Sequence, residues 1–177
     1  MAKIKFKNVV NSWLTYIGLG NYTIKYADES LKINIDGHSI SNVGFGASQA
    51  LPILVGSILQ PLDGCLILEQ PEIHLHPRAQ MNMADFLIAS AMSKRELIVE
   101  THSDHVINRV IRRAMENLSV AQNVKIYFIE DGAIEEIHID PCKGTDIDKE
   151  DFFTQFETET MAIVKIGMSN WKSSHRK

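Results

Sequence analysis

Residues 64–77 read GCLILEQPEIHLHP, a short apolar run that ends in a carboxylate, Glu69. Short apolar runs bounded by turn residues are typical of strands buried in a parallel sheet. A second such run spans residues 96–100, and helical spacing over residues 77–92 separates the two. Two strands joined by one helix predict a βαβ unit in a parallel sheet covered on both faces, and therefore an α/β fold.

The segments on either side of this unit add helices and antiparallel strands. Ser48 is the expected N-cap of a helix that follows a glycine-rich loop, and Pro52 is expected at the edge of its first turn. Asp131-Gly132 predicts the turn of a β-hairpin. The other predicted helices span residues 6–17 and 106–118, and the predicted strands span residues 22–26, 31–35, 124–130 and 133–139.

Length and composition fit one globular domain. The chain has 177 residues, 45% of them hydrophobic, and its formal net charge of −4 gives no general attraction to nucleic acid. Cys65 and Cys142 are too few for a disulfide framework or a zinc knuckle, and Cys65 is expected to be a buried, reduced thiol. No signal peptide is recognisable, and no run approaches the roughly 18 apolar residues of a membrane span. We therefore expect a soluble, cytoplasmic protein with no membrane partner.

The strand that ends in Glu69 has the form of a Walker B element. In an open α/β sheet, ligands bind outside the carboxyl ends of the strands. A carboxylate there can hold Mg²⁺ while the metal bridges nucleotide phosphates. Many buried strands end in an acid, so the order of the motifs matters more than this one. A glycine-rich loop precedes Glu69, and a second strand that leads into His102 follows it.

Three motifs in this order resemble those of SMC/RecF/OLD-like ATPases with an ABC-type head. Residues 42–49, NVGFGASQ, resemble an ABC signature motif. Residues 69–77, EQPEIHLHP, resemble a Walker B element and D-loop, and residues 101–105, THSDH, resemble an H-loop. The amino-acid sequences of these motifs most resemble those of AAA-family ATPases that include the Septu anti-phage defence ATPase. This resemblance covers roughly residues 6–156.

The resemblance implies a fold and a division of the chain. Residues 1–140 would form the C-terminal lobe of an ABC-type ATPase head, with a P-loop NTPase-like parallel sheet, flanking helices and a terminal β-hairpin. Residues 141–177 would form a C-terminal extension. Its Phe152, Phe153 and Phe156 are either a packing patch or a docking site for a partner.

The resemblance also implies a role for each motif residue. Glu69 would hold Mg²⁺, and His102 would sense the γ-phosphate of ATP. His74 and His76 belong to the segment, residues 73–76, that would form the D-loop at the dimer interface. The residues implied to approach the γ-phosphate of an ATP held by a second subunit are Gly44, Gly46, Ser48 and Gln49.

Three features depart from the family pattern. Gln70 stands where many such enzymes have a glutamate base, and an amide cannot take a proton from water, so Glu72, His74 or a partner would have to act. Gly44 replaces a common serine. No G-x-x-x-x-G-K-[ST] loop occurs. The expected partner is therefore a P-loop-bearing N-terminal half or subunit. The chain would be a C-terminal fragment, a split subunit or a degenerate relative, and in each case we predict that it does not hydrolyse ATP alone.

Several alternatives stay open. In the assembled protein, a homo- or hetero-dimer of heads would close when it binds ATP and open after hydrolysis, and it would act on DNA or an effector nuclease. The chain would otherwise be a non-hydrolysing regulatory or dimerisation subunit, or a metal-dependent phosphoesterase built on His74, His76, His102 and His105. Ser103 is also a candidate helix N-cap. Three arginines, Arg109, Arg112 and Arg113, predict a solvated helix face or, less simply, a phosphate contact.

Overall fold

The computed structural model describes residues 5–27, 29–140 and 144–145, so Phe152, Phe153 and Phe156 lie outside the described residues. The helices are α1 (Phe6–Ile17), α2 (Phe45–Leu59), α3 (Pro77–Ala91), α4 (Asp104–Glu116) and α5 (Leu118–Asn123), with a 3-10 turn at Ile40–Asn42. The strands are β1 (Tyr22–Ala27), β2 (Ser30–Ile35), β3 (His38–Ser39), β4 (Cys65–Glu69), β5 (Glu96–Glu100), β6 (Ile126–Glu130), β7 (Ala133–Ile137), β8 (Ile139–Asp140) and β9 (Gly144–Thr145).

The predicted βαβ unit is confirmed, and it contains the one parallel strand pair among the described residues. Strands β4 and β5 pair in parallel, with Glu69 opposite Glu100, and α3 connects them. The predicted hairpin of β6 and β7 is also confirmed, and both turn residues, Asp131 and Gly132, have positive φ angles of 48° and 80°. Within the described ranges, no helix is long and apolar enough to cross a membrane.

The hydrophobic core lies where α1, α2 and α3 meet the inner face of the β4–β5 sheet. Leu14 and Leu54 are fully buried, and Phe86 is 1% exposed. The Phe86 ring contacts Trp13 of α1 edge to face, with centroids 5.2 Å apart. Leu68, Leu97 and Val99 of the sheet pack against this cluster. The sheet is therefore anchored on the side that faces the helices.

The outer face of the same sheet is open, which corrects the expectation of a sheet covered on both faces. Side chains alternate between the two faces of a strand, and in both strands half-buried residues alternate with exposed ones. Ile67 is 67% exposed and Ile98 is 53% exposed. Cys65 is exposed on this face as well, so the expected buried thiol was wrong. No described segment packs over these residues.

Helix α2 begins earlier than predicted. Its N-cap is Gly44, and Ser48 lies inside the first turns, where its hydroxyl donates to the carbonyl of Phe45 over 2.9 Å. The prediction that Ser48 is the N-cap was therefore wrong. Glycine is also a favourable N-cap residue. Pro52 consequently lies within the helix instead of at its edge, and it cannot donate a backbone hydrogen bond there.

A polar network ties α1, α3 and α4 together around Asp85. Arg113 donates to both carboxylate oxygens, over 2.7 and 3.1 Å, and the Tyr16 hydroxyl donates over 2.7 Å. Arg109 lies 3.6 Å from the same carboxylate. The expected solvated face is therefore wrong for Arg109 and Arg113. It holds for Arg112, which is exposed and pairs with Glu116 on its own helix.

Replacing Asp85 with asparagine is expected to lower the free energy of unfolding by about 1–3 kcal/mol at pH 7, because two arginines lose their charged partner. Burial raises the pKa of Asp85, but hydrogen bonds from Arg113 and Tyr16 outweigh it and hold that pKa below its usual range. The stabilisation is therefore present above the usual pKa of the unfolded chain and is lost as the pH falls through the folded pKa, below about pH 4.

Urea unfolding of the wild type and Asp85→Asn at a series of pH values measures this difference. The gap between the two curves should narrow as the pH falls. Asp131→Asn is the control, because asparagine also suits that turn position and little change is expected. A gap that does not depend on pH would show that the charge of Asp85 contributes nothing.

Candidate functional site

Each of the two parallel strands ends in an acidic residue. Glu69 and Glu100 are the last residues of β4 and β5, they are register partners, and both are exposed on the outer face of the sheet. His102 lies just beyond, with its Nε2 3.5 Å from a carboxylate oxygen of Glu100. The carboxyl end of the sheet therefore presents two carboxylates and an imidazole to solvent.

A cleft of about 410 Å³ lies beside these strand ends. The loops that follow β4 and β5 form its walls, which is where an open parallel sheet places a ligand. It brings together Gln70, Glu72, His74 and His102, whereas Glu69 and His76 are not among its lining residues. The other lining residues are Ile73, Gln80, Ser103, Asp104 and His105.

Glu72 is the buried carboxylate of this cleft. It is 5% exposed, and its Oε1 accepts a hydrogen bond from the Thr101 hydroxyl over 2.5 Å. Its Oε2 is buried and has no hydrogen-bond partner among the described residues. A buried carboxylate oxygen without a donor is costly, so a hydrogen bond from a water molecule or a ligand would offset that cost.

One polar residue of the cleft, Gln80, has no counterpart among the candidates predicted from the sequence. Gln80 of α3 donates to the Leu75 carbonyl over 2.9 Å and accepts from the Ser103 hydroxyl over 2.6 Å. No motif marks this glutamine, because its role depends on contacts between distant segments. The predicted N-cap role of Ser103 is confirmed, since its hydroxyl accepts from the amide of Val106 at the start of α4.

A second cleft, of about 420 Å³, lies at the first turn of α2. Gly44, Gly46 and His74 line it, so His74 belongs to both clefts. Ser48 and Gln49 lie further along α2 and line neither. Phe45 is 73% exposed, and its ring centroid lies 5.6 Å from that of His74. The start of α2 and the loop after β4 therefore form one continuous surface.

Gly46 allows this close approach. A Cβ at position 46 would lie 2.9 Å from Leu75 Cδ2 and 3.0 Å from the His74 carbonyl oxygen. We expect Gly46→Ala to lower the free energy of unfolding by about 1–2 kcal/mol, because this overpacking exceeds the gain in helix propensity. Gly56, in the same helix, has no atom within 4 Å of such a Cβ.

Gly56→Ala is therefore the matched control, and it should raise the free energy of unfolding by about 0.5–1 kcal/mol through helix propensity alone. Urea denaturation monitored by circular dichroism measures both variants. If the two alanines stabilise the chain equally, the contact between α2 and the loop after β4 does not constrain position 46.

The histidines do not support a metal centre. His74, His102 and His105 line one cleft, but His76 lies outside it, and its ring nitrogen accepts from the Arg78 amide at the start of α3. Across the described part of the chain, no group of three His, Cys, Asp or Glu side chains is arranged to hold a metal ion. The four-histidine site considered from the sequence is therefore not assembled.

The family model of the AAA ATPase domain matches residues 3–107, more than half of the chain. This span includes the glycine-led start of α2, the βαβ unit and both loops of the first cleft. The chain belongs to the AAA ATPase domain family.

Two known proteins refine this assignment. The Septu protein PtuA of Bacillus thuringiensis is 26% identical over 72 residues, which make up 41% of this AAA ATPase domain chain and 18% of that protein. The matched segment thus spans less than a fifth of that relative. A solved structure from work on ATP-driven dimerization and DNA-stimulated activation of SMC ATPases matches with a TM-score of 0.52 and 14% identity.

That structural match covers 77% of this chain and 84% of the other, and at this identity it establishes the fold. The chain therefore has an SMC-like ATPase fold and is related to Septu proteins, as the sequence motifs predicted. The predicted C-terminal lobe of a head, a parallel sheet with flanking helices, agrees with the same match.

Proposed function

We propose that residues 1–140 supply the signature, Walker B, D-loop and H-loop side of a composite ATP site, and that another segment or subunit supplies the P-loop. The observation that carries the proposal is the cleft at the carboxyl ends of β4 and β5, where Gln70, Glu72 and His102 lie together. The sequence contains no P-loop motif. Residues 141–177 would form an extension outside this head.

Each side chain has a role that its position suits. His102, at the edge of the cleft, would donate a hydrogen bond to the terminal phosphate. The amides at the start of α2, beside Gly44 and Gly46, would meet a phosphate held by a second head, because a helix N-terminus favours anions. Gln70 would orient water but cannot take its proton, so Glu72, the buried carboxylate that lines the same cleft, is the candidate for that step.

Magnesium is the metal that such a site uses, and the residues at the strand ends fit it. Glu69 presents an exposed carboxylate at the end of β4, and hard divalent cations prefer oxygen ligands. When held there, the metal would supply positive charge that offsets the charge of the nucleotide phosphates. Glu69 would hold the metal, while Glu100 would keep His102 in place through their 3.5 Å contact.

A non-hydrolysing regulatory or dimerisation subunit is the second candidate, and Gln70 favours it because the amide replaces the usual base. In both cases the partners would be a P-loop-bearing segment and a second head. The assembly would act on DNA or on an effector nuclease, in line with the SMC-like and RecF/OLD-like motifs and the Septu relative.

ATP hydrolysis by the purified chain with Mg²⁺ tests the proposal. We expect no turnover by the chain alone, because the cradle for the β- and γ-phosphates is absent, and Mg²⁺-dependent turnover once its P-loop-bearing segment or subunit is restored. Turnover by the chain alone would contradict the composite site. ATP binding without turnover in the restored assembly would favour the regulatory subunit instead.

A further inference from the structure

Side chains tie together the two loops at the strand ends. The post-β4 loop, residues 70–76, precedes α3, and the post-β5 loop, residues 101–103, precedes α4. Both loops line the cleft at the carboxyl end of the sheet. Two side-chain bridges connect them, one through Glu72 and one through Gln80.

The first bridge is direct. The Thr101 hydroxyl donates to Glu72 Oε1 over 2.5 Å, and the Thr101 Oγ1 atom itself accepts from the Ser103 amide over 3.1 Å. The Thr101 hydroxyl hydrogen is thus directed at Glu72, while a lone pair of the same Thr101 oxygen accepts the hydrogen bond from the Ser103 amide. Because Glu72 is buried, this hydrogen bond is little weakened by water.

The second bridge passes through the side-chain amide of Gln80. The Leu75 carbonyl can only accept, so the Gln80 nitrogen must face it, at 2.9 Å. The Ser103 oxygen accepts from the Val106 amide, so its hydrogen is free to point to the Gln80 carbonyl oxygen, at 2.6 Å. Only one orientation of the amide satisfies both loops at once.

The post-β4 loop also contains backbone strain. Gln70 and His74 have positive φ angles of 46° and 63°, in the left-handed region that non-glycine residues seldom adopt. Such conformations persist only where the surroundings hold them. The bond from Gln80 to Leu75, the residue after His74, is one of these restraints.

We propose that Gln80 is a positioning residue that couples displacement of the post-β4 loop to the post-β5 loop, and so to His102. The proposal rests on the proposed function in one respect, namely that the post-β4 loop would meet a second head and His102 would face the nucleotide. A shift of the loop around His74 and Leu75 would then pull on Ser103, the residue next to His102, through the side-chain amide of Gln80.

Substitutions at position 80 separate this coupling from simple packing. Gln80→Glu keeps an acceptor for Ser103 but places a carboxylate oxygen against the Leu75 carbonyl, so it breaks one link of the bridge. Gln80→Met keeps the length and removes both bonds. Asn82→Leu is the matched control, because Asn82 of the same helix donates to the Tyr16 carbonyl, away from both loops.

Amide hydrogen exchange in the free chain, without nucleotide, tests the coupling. His74→Gly relaxes the strained post-β4 loop, and the response is read at the amides of Ser103 and Val106. In an otherwise wild-type chain and in the Asn82→Leu variant, we expect His74→Gly to raise the exchange rate of these amides about fivefold. With Gln80→Glu or Gln80→Met, the same glycine should change exchange by less than about twofold.

An equal response to His74→Gly in the wild type and in both Gln80 variants would overturn the proposal. Circular dichroism confirms that each variant is folded, and Gln80→Met replaces Gln80→Glu if the charged variant does not fold. No nucleotide is involved, so loss of coupling leaves the composite ATP site untouched. Conversely, if the coupling is observed but no assembly binds ATP, only the proposed function is rejected.

Discussion

Replacing Glu69 with alanine is expected to lower ATP turnover by the restored assembly by at least about a hundredfold, because the metal loses its protein carboxylate at the end of β4. Glu69 is exposed at the carboxyl end of the strand, and its register partner Glu100 contacts His102. Glu100 is therefore not free to take over the same role.

Glu96→Ala is the control for this variant. Glu96 lies on the same outer face but at the amino end of β5, opposite Cys65. Like Glu69→Ala, the Glu96→Ala substitution removes one negative charge from the outer face, but at the opposite end of the sheet. Turnover should therefore stay within about threefold of the wild type. If Glu69→Ala behaves like Glu96→Ala, the carboxyl end of the sheet is not the metal site. Steady-state ATPase assays over a range of Mg²⁺ concentrations make the comparison.

Replacing Phe86 with alanine is expected to lower the free energy of unfolding by about 3–5 kcal/mol, because a large side chain leaves a cavity in a closed core. Phe86 is 1% exposed and packs edge to face on Trp13, which joins α3 to α1. Such a loss is a large part of the 5–15 kcal/mol that ordinarily holds a domain together.

Urea unfolding measures this loss, and Phe45→Ala is the control. Phe45 is 73% exposed, so its removal should change the free energy of unfolding by less than about 0.5 kcal/mol. A loss below about 1 kcal/mol for Phe86→Ala would mean that the α1–α3 contact does not hold the core together.

Much of the fold follows from local patterns. Apolar runs of strand length predicted β4 and β5, and Asp131-Gly132 predicted the hairpin turn. The start of α2 did not follow, because its first turn depends on the fit of Gly46 against Leu75, from a segment distant in sequence. Which face of the sheet is covered did not follow either, since apolar side chains occupy both faces of β4 and only the packed neighbours distinguish them.

The candidate site was predicted in the same uneven way. Carboxyl ends of parallel strands lie at one edge, and this rule alone predicts that Gln70 and His102 lie close together. The bridging role of Gln80 and the pairing of Asp85 with Arg109 and Arg113 had no signal in the sequence. Each depends on which helix face turns toward a distant segment, and spacing along a single helix does not report that.

The open outer face of the β4–β5 sheet also has a thermodynamic consequence. Ile67 and Ile98 stay in water there, so the native chain forgoes hydrophobic free energy that a covering surface would supply. By mass action, any molecule that binds this face only in the folded state raises the free energy of unfolding in proportion to the logarithm of its concentration. The free energy of unfolding of the isolated chain is thus the lower limit of the value that it has when such a molecule is bound.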